Sequence, residues 1–138
     1  TGVQIFIREP GISERNSIFS SIYHPSEDAM AFSVEKAVRS YTLGHAASQN
    51  SEIPEKLQYR GSLTVTIDGV TMQASCSGLT GDQDVYVSVI ILSRIFACST
   101  WHIMNKVNEA GGELPEHFAF RDSYFDRLLT KHSTEFSE

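Results

Sequence analysis

Five histidines, His24, His45, His102, His117 and His132, are the side chains here best suited to moving a proton near neutral pH. Their spacing forms no metal motif: there is no HExxH and no His-x3-His, and Cys76 and Cys98 complete no zinc pattern. His102 follows Trp101 on the polar side of an expected helix, where a rim histidine is a plainer reading than a general base. His24, Glu27 and Asp28 gather at an expected helix start, and so do Asp82 and Asp84. The first group could be an oxygen-ligand metal site or an acid–base pair and the second resembles a DxD metal pair, but first-turn acids are what capping and the helix dipole favour. The reading therefore assigns no metal and no cofactor.

The stretch Ser77-Gly78-Leu79-Thr80-Gly81 could turn backbone N–H groups toward an anion or other ligand, with His102 as a companion. It lacks the Gly-Lys-Ser/Thr ending of a P-loop and the GxGxxG spacing of a dinucleotide site. Cys98 and His102, four residues apart, fit a nucleophile pair on one helix face, although core packing is the default for both thiols. Near the C-terminus, Phe120 and Tyr124 stand away from the apolar face of a terminal helix, with Arg121 among the charges around them. With Trp101 they suit a protein interface.

The elements that must position these residues are legible from periodicity and turns. Residues 3–8 alternate as a strand that stops at Pro10-Gly11, and residues 13–23 suggest a short helix capped by Ser13. Residues 26–48 read as a helix entered at Ser26, with Met30, Val34, Ala37, Val38 and Tyr41 as its core-facing stripe. Residues 62–77 form a hairpin around Asp68-Gly69, a pair that suits a two-residue type I′ turn. Its two strands put Leu63, Val65, Ile67, Val70, Met72, Ala74 and Cys76 on one face. Thr64, Thr66, Thr71, Gln73, Ser75 and Ser77 take the other, which reads as the wet side.

A long helix, about 83–110, follows with Asp82 as N-cap; a strand over Val85 to Ile91 is the competing assignment. A last helix begins at Pro115. The expected fold is α+β: a small antiparallel sheet, built from the 62–77 hairpin and the N-terminal strand, covered on one face by helices. Residues 1–138 read as a single domain whose tail, 133–138, frays.

Bulk properties narrow the function classes. The 138 residues carry a net charge of −6, spread over every third of the chain. No basic stripe is present for a nucleic-acid backbone or an anionic membrane. Two cysteines, no CxxC and an opening without a signal-peptide pattern suggest the cytoplasm. Catalytic motifs are absent, so the balance leans away from an enzyme. It favours a small acidic interaction module, an inhibitor, immunity or chaperone-like accessory acting on a protein partner.

A helix of about 27 residues spans about 40 Å, more than a small sheet can cover. The surplus points to a homodimer as well. The alternative is a small-molecule-binding protein or small enzyme, with a site between the sheet and the long helix near Gly78 to Gly81, and His102 or His24 moving protons.

Overall fold

The computed structural model describes residues 2–11 and 17–114. Four strands and three helices follow in chain order. They are β1 (Gly2–Arg8), β2 (Ser17–Tyr23), α1 (Ala29–Thr42), β3 (Ser62–Ile67), β4 (Val70–Ser77), α2 (Gly81–Ile95) and α3 (Thr100–Glu109). The strands form one antiparallel sheet in the order β2-β1-β4-β3. The α+β class expected from the sequence is thus observed.

The C-terminal hairpin closes as its turn residues dictate, with Ile67 opposite Val70. Asp68 and Gly69 both take positive φ, 51° and 79°, as a type I′ turn requires. Residues 17–23, expected to be helical, are instead the edge strand β2. Local periodicity in Ser-Ile-Phe-Ser-Ser-Ile-Tyr is weak, and pairing along β1, from Gly2 opposite Tyr23 to Arg8 opposite Ser17, overrides it. Ser13 lies outside the described residues.

Two sheet faces are covered, not one. The apolar face carries Leu63, Val65, Ala74 and Cys76, which pack with Val85, Val87, Val89, Leu92, Ile103 and Val107 of α2 and α3. The opposite face, expected to be wet, lies under α1. Ser75 donates from Oγ to the Ser33 carbonyl at 2.6 Å, and Gln73 donates from Nε2 to the Ala37 carbonyl at 3.0 Å. Gln4, Gln73, Ser75, Ser33 and Ser40 are all buried there. This layer is held by satisfied hydrogen bonds where a typical helix–sheet layer is greasy, and alternation alone cannot distinguish it from a solvated face.

The face α1 turns inward is therefore Ala29, Ser33, Lys36, Ala37 and Ser40. The stripe expected to be core, Met30, Val38 and Tyr41, is exposed, with Val34 half-buried. Only Ala37 of that set is buried.

The expected long helix is two helices bent by 110°. The break is a Schellman motif: Ala97 takes φ 52°, its N–H donates to the Arg94 carbonyl, and the Cys98 N–H donates to the Ser93 carbonyl at 2.9 Å. Ser99 then caps α3 by accepting from the His102 N–H at 3.1 Å. The competing strand over Val85 to Ile91 is not formed. The first half is buried nearly all round, with Val85, Val87, Val89, Ile90 and Leu92 all inside. Thr80, not Asp82, is the α2 N-cap, and with Gln83 it forms a capping box. Bending lets α3 fold back over β3, so the argument for a partner from helix length falls. No single helix among the described residues is long and apolar enough to cross a membrane.

Candidate functional site

The Gly78 to Gly81 loop forms one wall of a cavity of about 330 Å³ between α1, the end of β4 and the start of α2. Lys36 and Asp84 line it from α1 and α2, and Phe32 and Tyr59 line it as an edge-to-face ring pair 5.6 Å apart. Lys36 is 2% exposed and Asp84 3%. The Lys36 Nζ donates to the Cys76 carbonyl at 2.7 Å and stands 3.4 Å from the Asp84 carboxylate.

Burial is the main influence on both groups. It pushes the Asp84 carboxyl up to about 6 against the opposing pull of Lys36, and it lowers the Lys36 ammonium below its usual range. Gly61 makes room for this pair. A Cβ there would lie 2.5 Å from the Cys76 carbonyl oxygen and 2.8 Å from the Lys36 Nζ, and its φ of 139° disfavours any side chain.

The loop is tied down by its own helix. Asp84 accepts from the Leu79 N–H at 3.1 Å, and Gln83 accepts from the Thr80 N–H at 3.2 Å. A neighbouring clamp holds Arg60 against Glu52 and Asp82, both at 2.8 Å. The Arg60 hydrogen bonds keep the Glu52 carboxyl below its ordinary range. Ser77, 3% exposed, also lines the cavity, and its hydroxyl oxygen is itself buried and has no hydrogen-bond partner among the described residues.

Of the expected loop residues, Ser77, Gly78 and Gly81 line this cavity; Thr80 caps α2 beside it, and His102 does not line it. His102 and Trp101 are exposed on α3, and His24 is exposed after β2. Phe120, Arg121 and Tyr124 lie outside the described residues, so the expected aromatic interface is represented by Trp101 alone.

Cys76 is a buried thiol that receives a hydrogen bond from the Ser88 hydroxyl at 3.3 Å, and burial pushes it up to about 12. Cys98 sits in the break between α2 and α3, so it shares no helix face with His102, and the two cysteines are unpaired. Among the described residues, no three His, Cys, Asp or Glu side chains group to hold a metal ion. His45, near the edge of β3, lines a wider hollow of about 550 Å³ with Thr64, Thr66 and Lys106.

A second surface stands out on the outer side of α1. Phe19 of β2 and Met30, Val34 and Val38 of α1 line an open apolar groove together with Glu27 and Glu35. Phe19, Met30 and Val38 are 46%, 47% and 43% exposed. β2 is also the last strand of the sheet, so its outer edge meets no other strand among the described residues.

Sequence reasoning missed Lys36 and the groove for one reason: it assigned α1's apolar stripe to the core. A usable signal existed. Lys36 is flanked at helical spacing by Ser33, Ala37 and Ser40, a small-residue face that fits close against a sheet.

No family model, curated protein or solved structure matches the chain.

Proposed function

We propose that this protein is an acidic interaction module that captures an extended segment of a protein partner along β2. An open strand edge offers main-chain hydrogen bonds to an added strand, while an adjacent groove selects its side chains. The observation that carries this reading is the inverted helix: α1 turns Met30, Val34 and Val38 outward, next to Phe19 on the sheet edge. A contiguous apolar surface of this kind marks an interaction site.

Glu27 beside the groove, and the net charge of −6, favour a segment that alternates apolar residues and is flanked by lysine or arginine. An accessory of the inhibitor or chaperone type works in this way, by shape and main-chain pairing.

A random-peptide selection against the whole chain tests it. The expected result is enrichment of alternating apolar, basic-flanked peptides whose affinity falls about tenfold or more in Met30→Lys and Val38→Lys. Peptides that bind equally well to both variants would overturn it.

Self-pairing is the second reading, favoured by one pattern in β2. An antiparallel pair of β2 strands centred on Ser20 sets Phe19 opposite Ser21, large against small, and Ile18 opposite Ile22. Light scattering at micromolar concentration decides: a dimer lost in Val38→Lys supports it, and a monomer removes it.

A further inference from the structure

The open edge of β2 admits an added strand in one main-chain phase only, and the rest of the sheet sets that phase. In an antiparallel sheet the main-chain groups of successive residues point to opposite sides of the strand. The two-residue turn makes Ile67 and Val70 a hydrogen-bonded pair, and with them Val65 and Met72. Two bonds outside the hairpin agree. The Cys76 N–H donates to the Gly61 carbonyl on the β3 side, and the Thr64 N–H turns away from β4 to the Ala46 carbonyl at 2.8 Å. Gln73, Ser75 and Ser77 therefore turn toward β1, where they face Arg8, Phe6 and Gln4. That leaves Val3, Ile5 and Ile7 to bond Ile22, Ser20 and Ile18. The main-chain groups of Ser17, Phe19 and Ser21 point outward.

Phe19 and Ser21 are exposed, and among the described residues no hydrogen bond reaches their main chain from that outer side. The opposite edge of the sheet is already partly used: the Ala46 carbonyl holds the Thr64 N–H, and Ala47 bridges to Leu63.

The side chains of Ser17, Phe19 and Ser21 share the α1 side of the sheet with Arg8, Phe6 and Gln4. Ser75, level with Phe6 and Phe19, bonds to Ser33 of α1, and Gln73, level with Arg8 and Ser17, bonds to Ala37. The helix therefore runs antiparallel to β2, with Val38 toward Ser17, Val34 toward Phe19 and Met30 toward Ser21. Four helical residues advance about 6 Å and two strand residues about 6.6 Å, so these three anchors keep step with alternate residues of a strand. Above Phe19 the ring itself takes up the space. Above Ser21, whose hydroxyl is tied to Gln4 Oε1 at 2.7 Å, and above Ser17, the space is open.

We infer that β2 binds, antiparallel, a segment of the pattern large apolar–x–small–x–large apolar, whose alternate residues stand opposite Ser21, Phe19 and Ser17. This rests on the capture along β2 proposed above and specifies what is captured. The first large residue lies by Met30 and the second by Val38, with the small one over Phe19. Glu27, exposed and one helical turn before Met30, puts the basic flank ahead of the first large residue. Affinity comes from main-chain bonds to Phe19 and Ser21, and selection from every second side chain.

β2 itself fits the pattern in Phe19, Ser21 and Tyr23, which supplies the probe: a peptide of residues 19–23 preceded by added lysines. Titrated into the ¹⁵N-labelled full chain, it is expected to shift the Phe19 and Ser21 amides saturably. An N-methyl group on the probe's Ser21, whose N–H points at the edge, is expected to weaken binding about tenfold or more. One on its Ser20 or Ile22, whose N–H points away, should change binding by less than about twofold. Ser21→Leu in the probe, which sets bulk over Phe19, is expected to weaken it about fivefold. Equal effects of the inward and outward N-methyl groups, a larger effect of the outward ones, or undiminished binding of the leucine probe would each overturn the inference. So would the absence of a saturable shift in β2 up to roughly 1 mM probe. A probe that binds less well to Met30→Lys yet tolerates every N-methyl group overturns the pairing and leaves capture by the groove standing.

Discussion

The Lys36 ammonium and the Asp84 carboxylate meet 3.4 Å apart across the seam between α1 and α2, and both are nearly sealed from water. Burial raises Asp84 from 3.8 to about 6, so the unfolded chain binds fewer protons there than the fold does between those values. The stability contributed by this group is complete below about pH 4 and is lost as the pH rises through about 6. Glu52, held low by Arg60, works the other way: its contribution is lost as the pH falls. Comparison with Asp84→Asn separates the two. The wild-type stability minus that of the variant should decrease from pH 4 to pH 7, by about 2 kcal/mol, in urea titrations. A difference that grows over that range would contradict the assignment.

The two thiols should differ sharply in reactivity. Cys76 is fully enclosed and its thiol is pushed up to about 12, whereas Cys98 is half-buried in the bend between α2 and α3. Under native conditions a thiol reagent should modify Cys98 alone, and Cys76 should react only on unfolding. Peptide mapping after a brief iodoacetamide pulse checks this.

The bend carries local strain and a local cap that can be varied separately. Ala97 occupies the left-handed region at φ 52° on an exposed surface, so Ala97→Gly should stabilise the fold by about 1 kcal/mol. Ser99→Ala removes the hydroxyl that caps α3 and should cost about 1 kcal/mol. Denaturant midpoints read both, and a destabilising Ala97→Gly would contradict the Schellman geometry.

The inverted helix makes an unusual forecast for adjacent residues. Val38 is 43% exposed, and Val38→Lys should change stability by less than about 0.5 kcal/mol. Ala37 is 0% exposed and its carbonyl accepts from Gln73, so Ala37→Lys should cost more than about 3 kcal/mol. Thermal melts of the pair decide which face is inward.

What could be read beforehand was whatever local chemistry decides alone. Asp68-Gly69 sets its own turn, and the register of β3 on β4 follows from it. The strand at 3–8 and the apolar faces of residues 85–107 likewise announce themselves by period. Two features depended on partners distant in sequence, and a third on a local geometry that the apolar pattern disguises. β2 is a strand because β1 lies beside it. α1 buries serines and a lysine because Gln73 and Ser75 await them on the sheet. The break at 96–99 needed a non-glycine residue at positive φ, and the one forward signal, Ser99 three residues before His102, lies inside the single helix expected over 83–110. The Gly78 to Gly81 loop was noticed for its glycines, but the cavity beside it depends on Lys36 and Tyr59, which no spacing rule connects to it.

The strand order carries a consequence for assembly on the ribosome. β1 precedes the other described elements in the chain, yet one of its sides is completed by β4, with Gln4 opposite Ser77. Until that last strand emerges, the N-terminal hairpin has a single neighbour and α1 lacks the Gln73 and Ser75 surface on which it lies. The sheet's centre is therefore closed late, by a long-range step whose loop-closure entropy must be met before its contacts form. Among the described strands, β4 is the one whose arrival closes the sheet on both sides of its centre.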